Sequence, residues 1–161
     1  MSSIVNHSNE EYASVGVLVD SVCRSLDPKN RLTISAGWRE VMRQPDYVYL
    51  MPGRKDDTVK CVDLIPRQVF DALFKTLQGM SRKDPRWKSV NLICNSSSQV
   101  YLDIQGRIRI PDKFLTFAGL ESKVVMSGSH DRIKIYADDG SEGNAEIDLD
   151  AFDAACDVVD L

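Results

Sequence analysis

The chain is short of the residues from which catalytic and metal sites are built. Its 161 residues include only two histidines, His7 and His130, and neither has partners at metal-ligand spacing. No G-x-S-x-G, P-loop or G-x-G-x-x-G sequence is present. His130-Asp131 could orient an imidazole, but with no nucleophile in view a polar turn is the better reading. The four cysteines (Cys23, Cys61, Cys94, Cys156) are scattered with no C-x-x-C, so they read as small buried apolar residues rather than as a disulfide or zinc framework. No run of 18 apolar residues exists to span a membrane. The opening residues, with Glu10 and Glu11, lack the order of a secretory signal. These absences argue against an enzyme, a metal or cofactor site and a membrane protein, and they leave a cytoplasmic binding protein as the expectation.

Basic residues are also missing from one region. From Asp138 onward there are nine acidic residues and no Lys or Arg. Setting that tail aside leaves 20 basic against 15 acidic residues, a body of about +5 inside a chain of net charge −4. A basic body with an acidic tail suits a protein that meets nucleic acid, although such a tail can also serve solubility alone.

What the chain does have is a repeat. Residues 27–34 read Asp-Pro-Lys-Asn-Arg-Leu-Thr-Ile and residues 103–110 read Asp-Ile-Gln-Gly-Arg-Ile-Arg-Ile. The offset of 76 holds for Asp27/Asp103, Arg31/Arg107, Ile34/Ile110 and the aromatics Trp38/Phe114. A fixed period means one supersecondary unit used twice, hence a paired active surface. Each octet has the chemistry of a three-residue hairpin loop. Asp27 and Asp103 open a type I turn, and Asn30 and Gly106 take the left-handed position that closes it. The arginine then restarts the chain with its fork pointing off the hairpin.

The rest of the chain reads coarsely. Residues 14–26 and Val59–Ile65 read as strands, and so do Tyr47–Met51, Lys123–Ser127 and Arg132–Tyr136. Ser35 can cap a short helix that ends at Gln44-Pro45. Pro66 opens the clearest helix, whose stripe Val69, Phe70, Leu73, Phe74, Leu77 and Met80 predicts core or subunit interface. Asp84-Pro85 can cap a third helix, and Pro111–Ala118 reads as a fourth, ended by Gly119. In the tail, Leu149, Phe152, Cys156 and Val159 would make one face of an acidic helix if that segment is ordered.

From about Leu18 to Tyr136 the chain resembles the MraZ family. The residues that carry the likeness are Asp27-Pro-Lys-Asn-Arg-Leu-Thr-Ile with Arg39-Glu40, Asp103-Ile-Gln-Gly-Arg-Ile-Arg-Ile-Pro, Ala118-Gly119-Leu120 and Val124-Val125-Met126-Ser127-Gly128. The first half departs from the family pattern at Asn30, Ser35 and Gly37. The resemblance implies a bacterial transcriptional regulator of the division and cell-wall gene cluster. It would bind repeated promoter boxes in double-stranded DNA as a ring-shaped homo-oligomer, associated with the nucleoid.

The implied fold is α+β, with two pseudo-symmetric AbrB/MraZ-like β-hairpin-helix repeats in a swapped-hairpin, barrel-like core. The expected division is a disordered extension (1–17), a first repeat (18–65), connecting helices (66–95), a second repeat (96–137) and an acidic tail (138–161). Arg31 and Arg107 are expected to engage DNA, with Lys29, Arg109 and Lys113 on phosphates, while Asp27, Asn30, Asp103 and Gly106 shape the turns. The rival expectation is an antitoxin-like interaction module whose Asp-x-x-x-Arg loops join subunits.

Overall fold

Two short runs, Asp27–Arg31 and Asp103–Arg107, set the geometry of the chain. In the computed structural model, which describes residues 16–55, 59–140 and 147–161, Asn30 and Gly106 stand at φ 58° and 76°. Glycine enters this left-handed region freely and asparagine at small cost. The Asn30 and Gly106 amides each donate to the carbonyl of the turn aspartate at 2.9 Å. The Asp27 and Asp103 amides close the loops on Arg31 and Arg107 at 3.1 and 2.9 Å. The expected three-residue loop is therefore present twice.

In chain order the elements are β1 (Ser21–Ser25), β2 (Arg31–Thr33), α1 (Ala36–Val41), β3 (Tyr47–Pro52), β4 (Val62–Ile65), α2 (Arg67–Gln78), α3 (Pro85–Ser96), β5 (Ser98–Tyr101), β6 (Arg107–Arg109), α4 (Asp112–Ala118), β7 (Lys123–Gly128), β8 (Ile133–Ala137) and α5 (Leu149–Val159). The strands flanking each turn part company at once, which corrects the expectation of simple hairpins. β1 joins a six-stranded antiparallel sheet of order β1-β7-β8-β4-β3-β5, while β2 pairs with β6 in a separate two-stranded ribbon. Apart from the β3–β4 and β7–β8 pairs, each half finds its strand partners in the other.

The register is two-fold symmetric. In the ribbon Leu32 faces Ile108, flanked by Arg31 opposite Arg109 and Thr33 opposite Arg107. Exchanging the halves by the offset of the repeat returns the same pairs, so a local axis passes between Leu32 and Ile108. The same shift turns Ser25 opposite Lys123 into Tyr101 opposite Tyr47. It also turns the bond from the Leu26 amide to the Ser122 carbonyl into that from Leu102 to Asp46. On the far side the axis passes between Asp63 and Lys134, which face each other in β4 and β8. There the offset is smaller, because the β7–β8 connection (129–132) is shorter than that between β3 and β4 (53–61).

Matched residues fill one core. Leu32, Ile34, Trp38 and Met42 from the first half pack in the same cluster as Ile108, Ile110, Phe114 and Ala118 from the second. Ser35 caps α1, its hydroxyl accepting from the Trp38 amide at 3.3 Å. That helix ends on two left-handed residues, Arg43 and Gln44, and its counterpart α4 ends on left-handed Gly119.

Several expectations are corrected. The strand read over 14–26 shrinks to Ser21–Ser25, because Asp20 at φ 81° interrupts it and Leu18 makes only an isolated bridge to His130. The strand read from Val59 begins at Val62. The α2 stripe, expected in the core or at a subunit interface, is corrected only as core: Phe70 alone is buried, stacked on Tyr49 at 3.9 Å, while Phe74 is exposed. Of the cysteines only Cys61 is buried, and Cys23 is exposed. Most of the expected N-terminal extension, with His7, lies outside the described residues.

Candidate nucleic-acid interface

Successive side chains in a strand point to opposite faces. With Leu32 and Ile108 fully buried, the other face of the β2–β6 ribbon presents Arg31, Thr33, Arg107 and Arg109. Thr33 and Arg109 are exposed, and Arg31 and Arg107 are half-buried. Arg31 and Arg109 stand directly opposite, an arrangement that costs stability between like charges. The turn aspartates offset it.

Those aspartates also hold the two guanidinium forks. The Arg31 Nε donates to Asp27 Oδ2 and the Arg107 Nε to Asp103 Oδ2 at 2.8 Å. The Arg107 Nη1 also comes within 3.9 Å of Asp27 Oδ2, linking the halves across the ribbon. The second carboxylate oxygen of each aspartate closes its turn. Asp27 Oδ1 accepts from the Lys29 and Arg31 amides at 2.9 and 2.8 Å. Asp103 Oδ1 accepts from Gln105 and Arg107, both at 2.9 Å. At Asp27 desolvation pushes the carboxyl pKa up, but the Arg31 amide, the Arg31 guanidinium and the Lys29 amide outweigh it and hold the pKa below the ordinary value. Asp103 is likewise lowered, chiefly by the Arg107 amide, against desolvation and with help from the Arg107 side chain and the Gln105 amide. Each aspartate is thus an ionised bracket that fixes one edge of its arginine.

The ribbon therefore gathers Arg31, Arg107 and Arg109 with Asp27 and Asp103. Lys29 is exposed in the loop leading into it. Lys113 is exposed but lies on α4, outside the ribbon, its Nζ 5.0 Å from the Phe114 ring. Arg39, quoted above for the family likeness, has a role that the sequence did not assign. The Arg39 side chain lies across Gly106, so that a β-carbon built there would meet its Nε and Cζ at 2.6 Å. Its Nε donates to the Ile34 carbonyl at 3.1 Å. The residue equivalent to Arg39 in the second half is Leu115, which has no guanidinium to lay over the Asn30 turn. A cleft of about 260 Å³ opens between Arg39, Asp46, Asp103 and Ile104.

A second charged cluster sits at the other end of the axis. Asp63 is only 1 % exposed and meets Arg132 Nη1 and Lys134 Nζ at 3.2 Å each, with the Cys61 thiol donating to it at 3.5 Å. A buried carboxylate so fully paired is structural. His130 occupies the β7–β8 turn at φ 71°. Among the described residues no group of His, Cys, Asp or Glu could hold a metal ion, and no helix is long and apolar enough to cross a membrane.

A family model described as "MraZ protein, putative antitoxin-like" matches residues 94–140. "Transcriptional regulator MraZ" of Nitratidesulfovibrio vulgaris is 32% identical over 138 residues, which is 85% of this chain and 90% of the relative. The proteins of that name from Nitrosomonas europaea and Nitrosospira multiformis are 30% and 29% identical, over 77% and 70% of this chain and 82% and 76% of theirs.

Proposed function

The chain belongs to the MraZ family, and from that premise we propose that it is a DNA-binding transcriptional regulator whose contact surface is the outer face of the β2–β6 ribbon. The observation that carries this reading is the register that sets Arg31 opposite Arg109 and Arg107 opposite Thr33 around a two-fold axis. The major groove of B-DNA admits a two-stranded ribbon, and a two-fold ribbon suits a duplex whose strands are related in the same way. Arg31 and Arg107, each braced by its aspartate, are the directed donors. Arg109, Lys29 and Lys113 add phosphate contacts that position without specifying.

The protein works as a ring-shaped homo-oligomer on repeated promoter boxes of a bacterial division and cell-wall gene cluster, in the cytoplasm and on the nucleoid. One protomer carries few cations for binding at physiological salt, where affinity scales with phosphates neutralised. Repetition around a ring raises the effective concentration of the rest. Residues 18–65 and 96–137 act as the paired units, joined by 66–95. The antitoxin-like alternative, with the loops joining subunits, is less favoured because Asp27 and Asp103 already pair with arginines of their own chain.

The test is a gel shift with DNA from upstream of the protein's own gene. Retardation that survives excess nonspecific duplex supports the reading. Equal competition by any duplex, or no shift at all, refutes it.

A further inference from the structure

The helix α5 presents an apolar stripe to solvent. Leu149, Phe152 and Val159 recur along one side and are 62 %, 56 % and 70 % exposed. Asp150, Asp153, Asp157 and Asp160 recur beside them with the same spacing. The helix has 11 residues, and an isolated helix so short is marginal in water. With no basic residue in its last turn, it also sets Asp157 and Asp160 against the negative end of its own dipole. Both defects are repaired by a partner that is apolar and cationic.

The consecutive helices α2 and α3, called the α2–α3 hairpin for their order in the chain, have that chemistry. Residues 67–96 hold six basic residues and two acidic ones. The same segment leaves Phe74, Leu92 and Ile93 exposed, and a groove of about 440 Å³ runs between Asp71, Phe74, Lys75 and Gln78. The arginine ribbon is the competing cationic surface, but its outer face is built of Arg31, Thr33, Arg107 and Arg109 and would leave the Phe152 stripe uncovered. Among the described residues, α2 and α3 together match α5 in charge and in exposed apolar side chains.

We propose that α5 of one protomer docks on the α2–α3 hairpin of a second copy. Two different surfaces of one chain then meet head to tail, and such heterologous contacts make closed rings when their rotation closes. This deepens the ring assembly proposed above and rests on it.

Two full-length variants test the contact by light scattering, with circular dichroism confirming that each is folded. Asp153→Lys/Asp157→Lys breaks the α5 side, and Lys75→Glu/Lys88→Glu breaks the hairpin side. The wild type should be a multi-protomer species and each variant alone a monomer. In an equimolar mixture every junction can join two native or two reversed surfaces, so the large species should return. A chain carrying all four substitutions should regain it as well. Variants that keep wild-type mass overturn the α5 contact and leave the ring standing. A wild type that is already monomeric overturns both. Variants that are monomeric and stay so on mixing overturn the pairing of these two surfaces, and α5 then meets its own hairpin or the arginine ribbon.

Discussion

Gly106→Asn probes a turn that the two halves build with different residues at equivalent positions. Asparagine occupies the matching Asn30 at φ 58°, so the left-handed backbone alone costs the new residue little. The difference is Arg39, which a β-carbon at 106 would meet at 2.6 Å. Those atoms are the far end of a flexible side chain, so Arg39 would swing away and lose its 3.1 Å bond to the Ile34 carbonyl. A charge-assisted bond in a half-buried setting is worth about 1–2 kcal/mol, which for a chain of this size lowers Tm by about 2–8 °C. Arg39→Ala should cost a similar amount. With Arg39 gone, Gly106→Asn should become nearly neutral, giving a coupling of about 1 kcal/mol in a double-mutant cycle. The mirror change Asn30→Gly should cost no more than about 0.5–1 kcal/mol. Urea denaturation of the four proteins of the cycle measures this. Additive effects of Gly106→Asn and Arg39→Ala would show that the arginine does not cover the turn.

Two further outcomes follow from the charged clusters. Lys134→Ala should be costlier than Asp63→Asn, because it strips a partner from a carboxylate that is 1 % exposed, whereas the two cations left by the second change can reach water. The difference should be about 1–3 kcal/mol by thermal melting, and equal costs would contradict the pairing. The turn aspartates have lowered pKa values, so their stabilisation is present above the unfolded carboxylate value near 3.9 and is lost as pH falls through the folded one. The fall in Tm from about pH 5 to about pH 2 should therefore be shallower in Asp27→Asn/Asp103→Asn than in the wild type. Parallel curves would contradict it.

The repeat was legible because turn chemistry is local. An aspartate that accepts from amides two and four residues on, and a residue able to stand at positive φ, must be written at fixed positions in the octet, and they are written there twice. The equivalence extends beyond what the sequence displays, since Arg43 and Gly119 share a left-handed conformation without sharing a residue type. Strand partnership was not legible. An alternating segment such as Arg107-Ile-Arg states which face is buried but not which strand lies beside it. Asp63 carried a weak signal as a carboxylate inside Cys61-Val-Asp-Leu-Ile. Its partner Lys134 was hidden because the strand connections before them differ in length, which takes this pair off the fixed offset. The bracing of Arg31 and Arg107 was within reach of the spacing alone, since each lies four residues from its aspartate. The cover of Gly106 by Arg39 depends on packing between the halves and leaves no local trace.

The central claim, that the ribbon face is where DNA is held, is met most directly by a salt titration of DNA affinity followed by fluorescence anisotropy. Wild type, Arg109→Ala and Arg31→Ala/Arg107→Ala/Arg109→Ala would be compared on the upstream duplex, each first confirmed as folded and of wild-type mass. Arg109→Ala should lower the slope of log affinity against log salt by about 0.9 for each phosphate that a bound protomer no longer neutralises, and leave the preferred sequence unchanged. The triple variant should lower it at least as far, bind more weakly at every salt concentration and lose sequence preference. A triple variant that keeps the wild-type slope and affinity would place the DNA elsewhere on the protein.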